Sequence, residues 1–265
     1  MIPGFPGALR FSGVMLLCAS TVCKGAPPAP APDWTGSFVA RVEALAVLQT
    51  LNAELLSHDS ATLTLERWCD VHKLASPPRI VASRVRDIDK PPTPEQRREL
   101  GVATTDAVRY RRVRLMCGTL VLSEADNWYV PGRLTPEMNQ LLDTTDSPFG
   151  VVVRPLHFQR HTLSSTLLWL PLPAGWEMNA ASRRGVAADQ PMPRVAADQP
   201  MPRVAADQPM PRVAADQPMP RVAADQPMPA QLLEHRAVLT LPDGTPFSEV
   251  VETYTDKVLA FPVAP

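Results

Sequence analysis

A nonapeptide, VAADQPMPR, is repeated in tandem between Val186 and Pro229 and limits what this part of the chain can form. The copies begin at Val186, Val195, Val204, Val213 and Val222. Each full copy brings two prolines, which remove backbone donors and interrupt both helices and sheet ladders. One Val and one Met per copy bury too little apolar area to offset the entropy of ordering the unit. A solenoid is the competing interpretation, but solenoid units bury a regular apolar stripe. We therefore predict a disordered insertion over 177–230.

The rest of the chain has the composition of an ordinary folded domain. The protein has 265 residues, 45% of them hydrophobic, and a formal net charge of -1. This length allows one domain with a sizeable core in addition to the repeats. A nearly neutral chain has no electrostatic reason to bind nucleic acid or an anionic membrane surface, so we expect neither as a partner.

The first residues have the pattern of an export signal. Arg10 precedes an apolar stretch over 14–23, which is too short to span a bilayer, and small residues and a Pro-rich linker over 26–34 follow. We expect a signal peptide over 1–25, a periplasmic protein and no membrane span after its removal. A disordered tail on a cytoplasmic protein is the alternative. In an oxidising compartment, Cys69 and Cys117 would form a disulfide or remain two buried thiols.

The region before the first predicted hairpin alternates between helical and extended patterns. Apolar residues on one side of a predicted helix over 35–57 are Phe38, Val42, Leu45, Leu48, Leu51 and Leu55. A second helix is predicted from Asp59 or Ser60 to about Leu74, followed by a strand over 80–86. The capping signature Thr93-Pro-Glu-Gln predicts a short helix that ends at Leu100.

Strand patterns dominate from there onward. Strands are predicted over 107–117 and 119–130, a short helix over 135–142, and a long strand region over 151–172. Strands over 235–242 and 247–261 would form a hairpin around Asp243-Gly244, a strong turn signal. Hairpin-linked strands with helices grouped early indicate an α+β domain over 35–262, in which an antiparallel sheet is flanked by helices.

Common catalytic signatures do not occur in the sequence. It contains no Gly-rich phosphate loop, no serine nucleophile elbow and no His-Glu-x-x-His. Cys69-x-x-His72 and His157-x-x-x-His161 would supply four zinc ligands. Because they do not form a complete zinc motif, we attribute their spacing to chance. We expect no metal and no cofactor, and no catalytic residue is assigned.

Three segments carry a family resemblance that covers about 50–262 without the insertion. The run RVRLMCGTLVLSEADNWYVP, from Arg112 to Pro131, resembles the central hairpin of chorismate pyruvate-lyase. Ser147-Pro-Phe-Gly is similar to that family's Thr-Pro-Leu-Gly, and the segment from His235 to Glu252 is similar to its closing hairpin. The same elements resemble the effector-binding UTRA domains of transcription regulators, which share the chorismate-lyase fold.

The resemblance implies a binding site for a small carboxylated, aromatic ligand. Arg112 would occupy the position of the family's substrate-binding Arg and Glu252 that of its binding Glu, while Phe149 and Ala61 would replace pocket side chains. A guanidinium can hold a carboxylate through two hydrogen bonds, and Glu252 could accept a hydrogen bond from a hydroxyl. The alternative is that Arg112 belongs to the solvated face of a strand on which Val113, Leu115 and Cys117 point inward.

Two functions follow from the resemblance. The lyase reaction would convert chorismate to pyruvate and 4-hydroxybenzoate, mainly by electrostatic positioning. The rival is a non-catalytic module of the cell envelope that binds or senses a small ligand. Asp126 stands where the lyase has a Gly, and export would separate the protein from cytosolic chorismate. Both departures favour the binding module.

Overall fold

A computed structural model describes residues 33–178 and 227–261 of the chain. The predicted signal peptide, most of the Pro-rich linker and all but the end of the repeat array therefore lie outside the described residues. No helix within the described ranges is both long enough and apolar enough to cross a membrane.

Five α-helices occur in the described part of the chain. They are α1 (Phe38–Leu56), α2 (Ala61–Val71), α3 (Pro94–Glu99), α4 (Pro136–Thr144) and α5 (Phe149–Val153). Ser37 caps α1 by accepting a hydrogen bond from the backbone N–H of Ala40, so the helix begins later than predicted. The predicted capping box is present at α3, where Thr93 and Gln96 exchange hydrogen bonds between side chain and backbone.

Six antiparallel strands form one sheet, which confirms the predicted α+β fold. The strands are β1 (Ile80–Val85), β2 (Arg109–Cys117), β3 (Leu120–Tyr129), β4 (Gln159–Leu167), β5 (Gln231–Thr240) and β6 (Pro246–Thr255). Their order across the sheet is β1-β2-β3-β6-β5-β4. The predicted turn between β5 and β6 is present, and Gly244 takes the positive φ of +85° that this turn requires.

The main core lies between α1, α2 and one face of this sheet. Leu48 and Leu51 of α1 and Leu65 of α2 pack in it with side chains from β2, β5 and β6. A disulfide between Cys69 of α2 and Cys117 of β2 joins the helices to the sheet covalently. The structure thus selects the disulfide over two free thiols, the two states that the sequence left open.

Two predicted strand boundaries are wrong. The apolar run at the start of the predicted strand over 151–172 forms α5 and a 3-10 turn (Arg154–Leu156), and β4 begins only at Gln159. Val152 and Val153 are buried as helical residues, because a short apolar run fits a buried helix as well as a strand. The last predicted strand also ends early, since the chain turns into a 3-10 helix (Asp256–Leu259) after β6.

Candidate ligand-binding site

A small cavity lies between the sheet and the N-terminal ends of α2 and α5. Its volume is about 40 Å³, which is room for a few water molecules. The side chains around it come from α2 and α5, from the chain before α2 and β4, and from five of the six strands. They are Asp59, Ser60, Ala61, Thr62, Val113, Leu115, Ala125, Asn127, Phe149, Gly150, Phe158, Arg160, Leu239, Val250 and Glu252.

An ion pair forms the polar wall of the cavity. The Arg160 Nη2 atom of β4 lies 2.6 Å from the Glu252 Oε2 atom of β6, and these side chains are only 5% and 8% exposed. The hydroxyl of Tyr254 donates a hydrogen bond to the same Oε2 atom at 3.0 Å. Glu252 Oε1 makes no hydrogen bond to any residue that the structure describes, so it remains available as an acceptor.

The charge of Glu252 keeps Arg160 protonated in this enclosed position. Burial lowers the pKa of Arg160, but the charge and hydrogen bond of Glu252, together with Tyr254 and Asp59, raise it by more. The backbone N–H of Arg160 also donates to the carboxylate of Asp59, just before α2. Through its side chain and its backbone N–H, Arg160 therefore connects three elements at the cavity: the loop before α2, β4 and β6.

Three of the four residues implied by the family resemblance meet at this cavity. Ala61, Phe149 and Glu252 line it together, although they are far apart in the sequence. The ring of Phe149 also contacts Tyr129, with ring centroids 5.4 Å apart. Arg112 is not among the lining residues.

The alternation of side chains along β2 places Arg112 on the opposite face of the sheet. Val113 and Leu115 line the cavity, and neighbouring residues of a strand point to opposite faces. Arg112 instead lies 2.7 Å from Glu124 of β3 in an ion pair. The predicted meeting of Arg112 with Glu252 therefore does not occur.

Arg111 is a buried arginine of β2 on the same face as Val113 and Leu115, although it is not itself among the lining residues. Its side chain is 2% exposed, and its Nη2 atom donates to the backbone carbonyls of Thr145 and Ser147, at 3.2 and 2.8 Å. Nε and Nη1 of Arg111 have no hydrogen-bond partner among the described residues. Burial, and then the charge of Arg84, lower the pKa of Arg111 to about 10. Arg111 pairs in register with Asn127 of β3, which lines the cavity.

A second buried polar group lies behind Glu252. His235 of β5 is fully buried and pairs in register with Glu252. Its Nε2 atom lies 2.8 Å from Asn52 Oδ1, which also accepts a hydrogen bond from Ser165. The Nδ1 atom of His235 has no partner among the described residues. Desolvation lowers the pKa of His235 to about 4.

Arg111 and Arg160 were not identified from the sequence, although the strand pattern contained a signal for Arg111. Arg111 has the same strand parity as Val113, Leu115 and Cys117, so their inward orientation implies an inward Arg111. Arg160 had no such signal, because β4 was predicted as part of a longer strand. Of the four residues whose spacing was attributed to chance rather than to a zinc site, Cys69 is bonded to Cys117. No cluster of three metal-ligating side chains occurs within the described ranges.

The fold and cavity define an α+β domain with an internal polar pocket at the helix–sheet boundary. No family model matches the chain. It is 49% identical over 234 residues to uncharacterized protein y4mC of Sinorhizobium fredii, and the match covers 87% of this chain and 82% of that protein. The chain belongs to the same family as y4mC.

Two solved structures illustrate a partly similar arrangement of helices and strands. The effector domain of PhnF from Mycobacterium smegmatis matches with a TM-score of 0.38 and 12% identity, over 75% of this chain and 89% of that one. YydK of Bacillus subtilis, described as a possible transcriptional regulator, matches with a TM-score of 0.34 and 12% identity, over 70% of this chain. The match spans 62% of the YydK chain. These scores are too low to transfer a ligand or an activity.

Proposed function

We propose that this domain binds a small carboxylated, aromatic ligand in the cavity between α2, α5 and the sheet. The observation that carries the proposal is Arg111, a buried guanidinium with two unpartnered donor atoms on the face of β2 whose next residues, Val113 and Leu115, line the cavity. Unpaired buried charges are costly and are retained mainly where a site needs them. A ligand carboxylate would supply the missing acceptors and the missing negative charge.

The other walls of the cavity suit the remainder of such a ligand. Phe149 and Phe158 offer aromatic surface for a ring, and Glu252 Oε1 offers an acceptor for a hydroxyl. An aromatic acid is larger than the present cavity, so binding requires the cavity to widen. The short α5, which carries Phe149 and Gly150, is the smallest element of this wall and the one that we expect to move.

Replacing Arg111 with Gln is expected to weaken binding of 4-hydroxybenzoate by about 10- to 100-fold, as for the loss of a charged hydrogen bond. The free energy of unfolding should stay constant or rise, because a desolvated charge without an acidic partner is removed. Isothermal titration calorimetry and urea unfolding measure the two effects. Arg112→Gln is the matched control, since it lies on the same strand but on the opposite face. Loss of binding in Arg112→Gln and not in Arg111→Gln would overturn the proposed site.

Elimination of pyruvate from chorismate is a second candidate, because the Glu252 carboxylate and the Arg160 guanidinium line one cavity and Arg111 lies on the same face of the sheet. Purified protein would be incubated with chorismate while 4-hydroxybenzoate and pyruvate are followed. Equal accumulation of both products, abolished in Arg111→Gln, would make the protein a lyase. Binding of 4-hydroxybenzoate without turnover would leave it a non-catalytic ligand-binding module.

We also propose that the protein acts outside the cytoplasm, in the periplasm. The disulfide between Cys69 and Cys117 supports this location, because such bonds persist in oxidising compartments and are rare in the cytosol. After cell fractionation, we expect the protein in the periplasmic fraction, with Cys69 and Cys117 resistant to thiol-alkylating reagents. A protein recovered in the cytosol with Met1 intact and both thiols alkylated would contradict the proposal.

A further inference from the structure

His235 is an uncharged histidine whose tautomer is set by its surroundings. Asn52 Oδ1 can only accept a hydrogen bond, so the Nε2 atom of His235 must carry the proton in the 2.8 Å contact between them. The Nδ1 atom therefore carries a lone pair. It is buried and has no donor among the described residues.

A buried acceptor without a donor is destabilising, so its retention calls for a reason. The imidazole is well held, because Tyr254 packs edge-on against it with ring centroids 5.5 Å apart. Asn52 is in turn held by Ser165 of β4. The imidazole ring is therefore rigid, and its Nδ1 atom is a preorganised hydrogen-bond acceptor.

The position of His235 relates this acceptor to the cavity. Leu239 and Val250 line the cavity floor, and the same row of side chains continues along β5 through Ala237 to His235. His235 is directly opposite Glu252 in the register of β5 and β6. His235 is not itself among the lining residues, but it shares a sheet face with Glu252, which lines the cavity, so the two unpartnered acceptors belong to directly paired residues at one end of the site.

We propose that His235 and Glu252 together select a ligand that carries two adjacent hydroxyl groups, with His235 Nδ1 accepting from one and Glu252 Oε1 from the other. This inference rests on the proposed function and narrows its ligand to a dihydroxylated aromatic acid. The carboxylate of that acid lies toward Arg111, and the two hydroxyls lie toward β5 and β6.

Two substitutions of His235 separate ligand recognition from a purely structural role. In His235→Gln, the side-chain amide N–H can replace Nε2–H and keep the bond to Asn52, while the acceptor at Nδ1 is lost. In His235→Asn, the side-chain carbonyl can replace the Nδ1 acceptor, while the bond to Asn52 is lost. The probes are benzoate, 4-hydroxybenzoate and 3,4-dihydroxybenzoate, titrated calorimetrically into the full chain.

The wild-type protein is expected to bind 3,4-dihydroxybenzoate about fivefold more tightly than 4-hydroxybenzoate, the value of one hydrogen bond. His235→Gln should abolish this ratio and His235→Asn should retain it. The opposite pattern, or a wild-type ratio near one while both acids still bind, overturns the inference and leaves the proposed function standing. Failure of all three acids to bind overturns both.

A measurement on the wild-type protein, which needs no variant, provides a further check. The proton of His235 should be found on Nε2 in long-range proton–nitrogen spectra, and Nδ1 should change its nitrogen shift when 3,4-dihydroxybenzoate is added. A proton on Nδ1, or a shift of equal size on addition of benzoate, would contradict the assignment of His235 as the acceptor.

Discussion

Substituting Gln for Glu252 is expected to reduce the free energy of unfolding by about 3–5 kcal/mol, the usual cost of breaking a buried ion pair by removing one partner. The amide can still accept hydrogen bonds from Arg160 and Tyr254, and its volume matches that of Glu. The loss of stability therefore reports the missing negative charge, because Arg160 stays desolvated without an acidic partner. Urea unfolding monitored by circular dichroism at neutral pH measures it.

Two comparisons sharpen this experiment. Asp70→Asn removes an ion pair with Lys73 in which both side chains are largely exposed, and it should cost less than about 1 kcal/mol. Combining Glu252→Gln with Arg160→Gln removes the unpaired charge, so the double variant should regain part of the lost stability. A cost for Glu252→Gln as small as that for Asp70→Asn would show that the pair is solvated in the folded protein.

Acid is expected to destabilise the domain through His235. Burial lowers its pKa in the folded state from 6.5 to about 4, so the unfolded chain takes up the proton first as the pH falls. The contribution of His235 to stability is complete above pH 6.5 and is lost between pH 6.5 and 4. At 1.36 kcal/mol per pKa unit, this loss amounts to about 3 kcal/mol.

The pH dependence is isolated by comparing variants, because other groups also titrate in this range. His235→Gln should remove about 3 kcal/mol of the change in unfolding free energy between pH 6.5 and 4. Well above pH 6.5 the two curves should run parallel, because His235 is uncharged there in both the folded and the unfolded chain, and this range is the internal control. Parallel wild-type and His235→Gln curves between pH 6.5 and 4 would mean that His235 takes up its proton in the folded protein over the same range as in the unfolded chain, which would contradict the lowered pKa.

The parts of the fold that sequence patterns predicted are those set by local chemistry. Capping at Thr93, the turn at Gly244 and the alternation along β2 each depend on a few neighbouring residues, and each is present in the structure. The stretch from Phe149 to Val153 was not predictable in this way. Its apolar residues pack against Tyr129 and Phe247, which are far away in the sequence, and this packing selects the helix.

The site was only partly predictable, for a related reason. Glu252, Phe149 and Ala61 were identified by resemblance, and their meeting at one cavity depends on the sheet register. A displacement of one residue along a strand exchanges its two faces. This is why Arg111 lies on the cavity face of the sheet and Arg112 on the opposite face. The orientation of Arg160 could not be predicted because it depends on where β4 begins. The apolar residues before β4 were assigned to the same strand, so this boundary was missed.

The strand pairing around the repeats has a consequence for how the chain can be assembled. β4 and β5 are adjacent antiparallel strands, and the repeat array belongs to the connection between them. Arg160 precedes that connection and Glu252 follows it. The pocket is therefore formed by two segments of the chain, and its formation does not require that they be covalently linked. The gene could therefore be divided within the array and expressed as two pieces, and ligand binding would then report their reassociation.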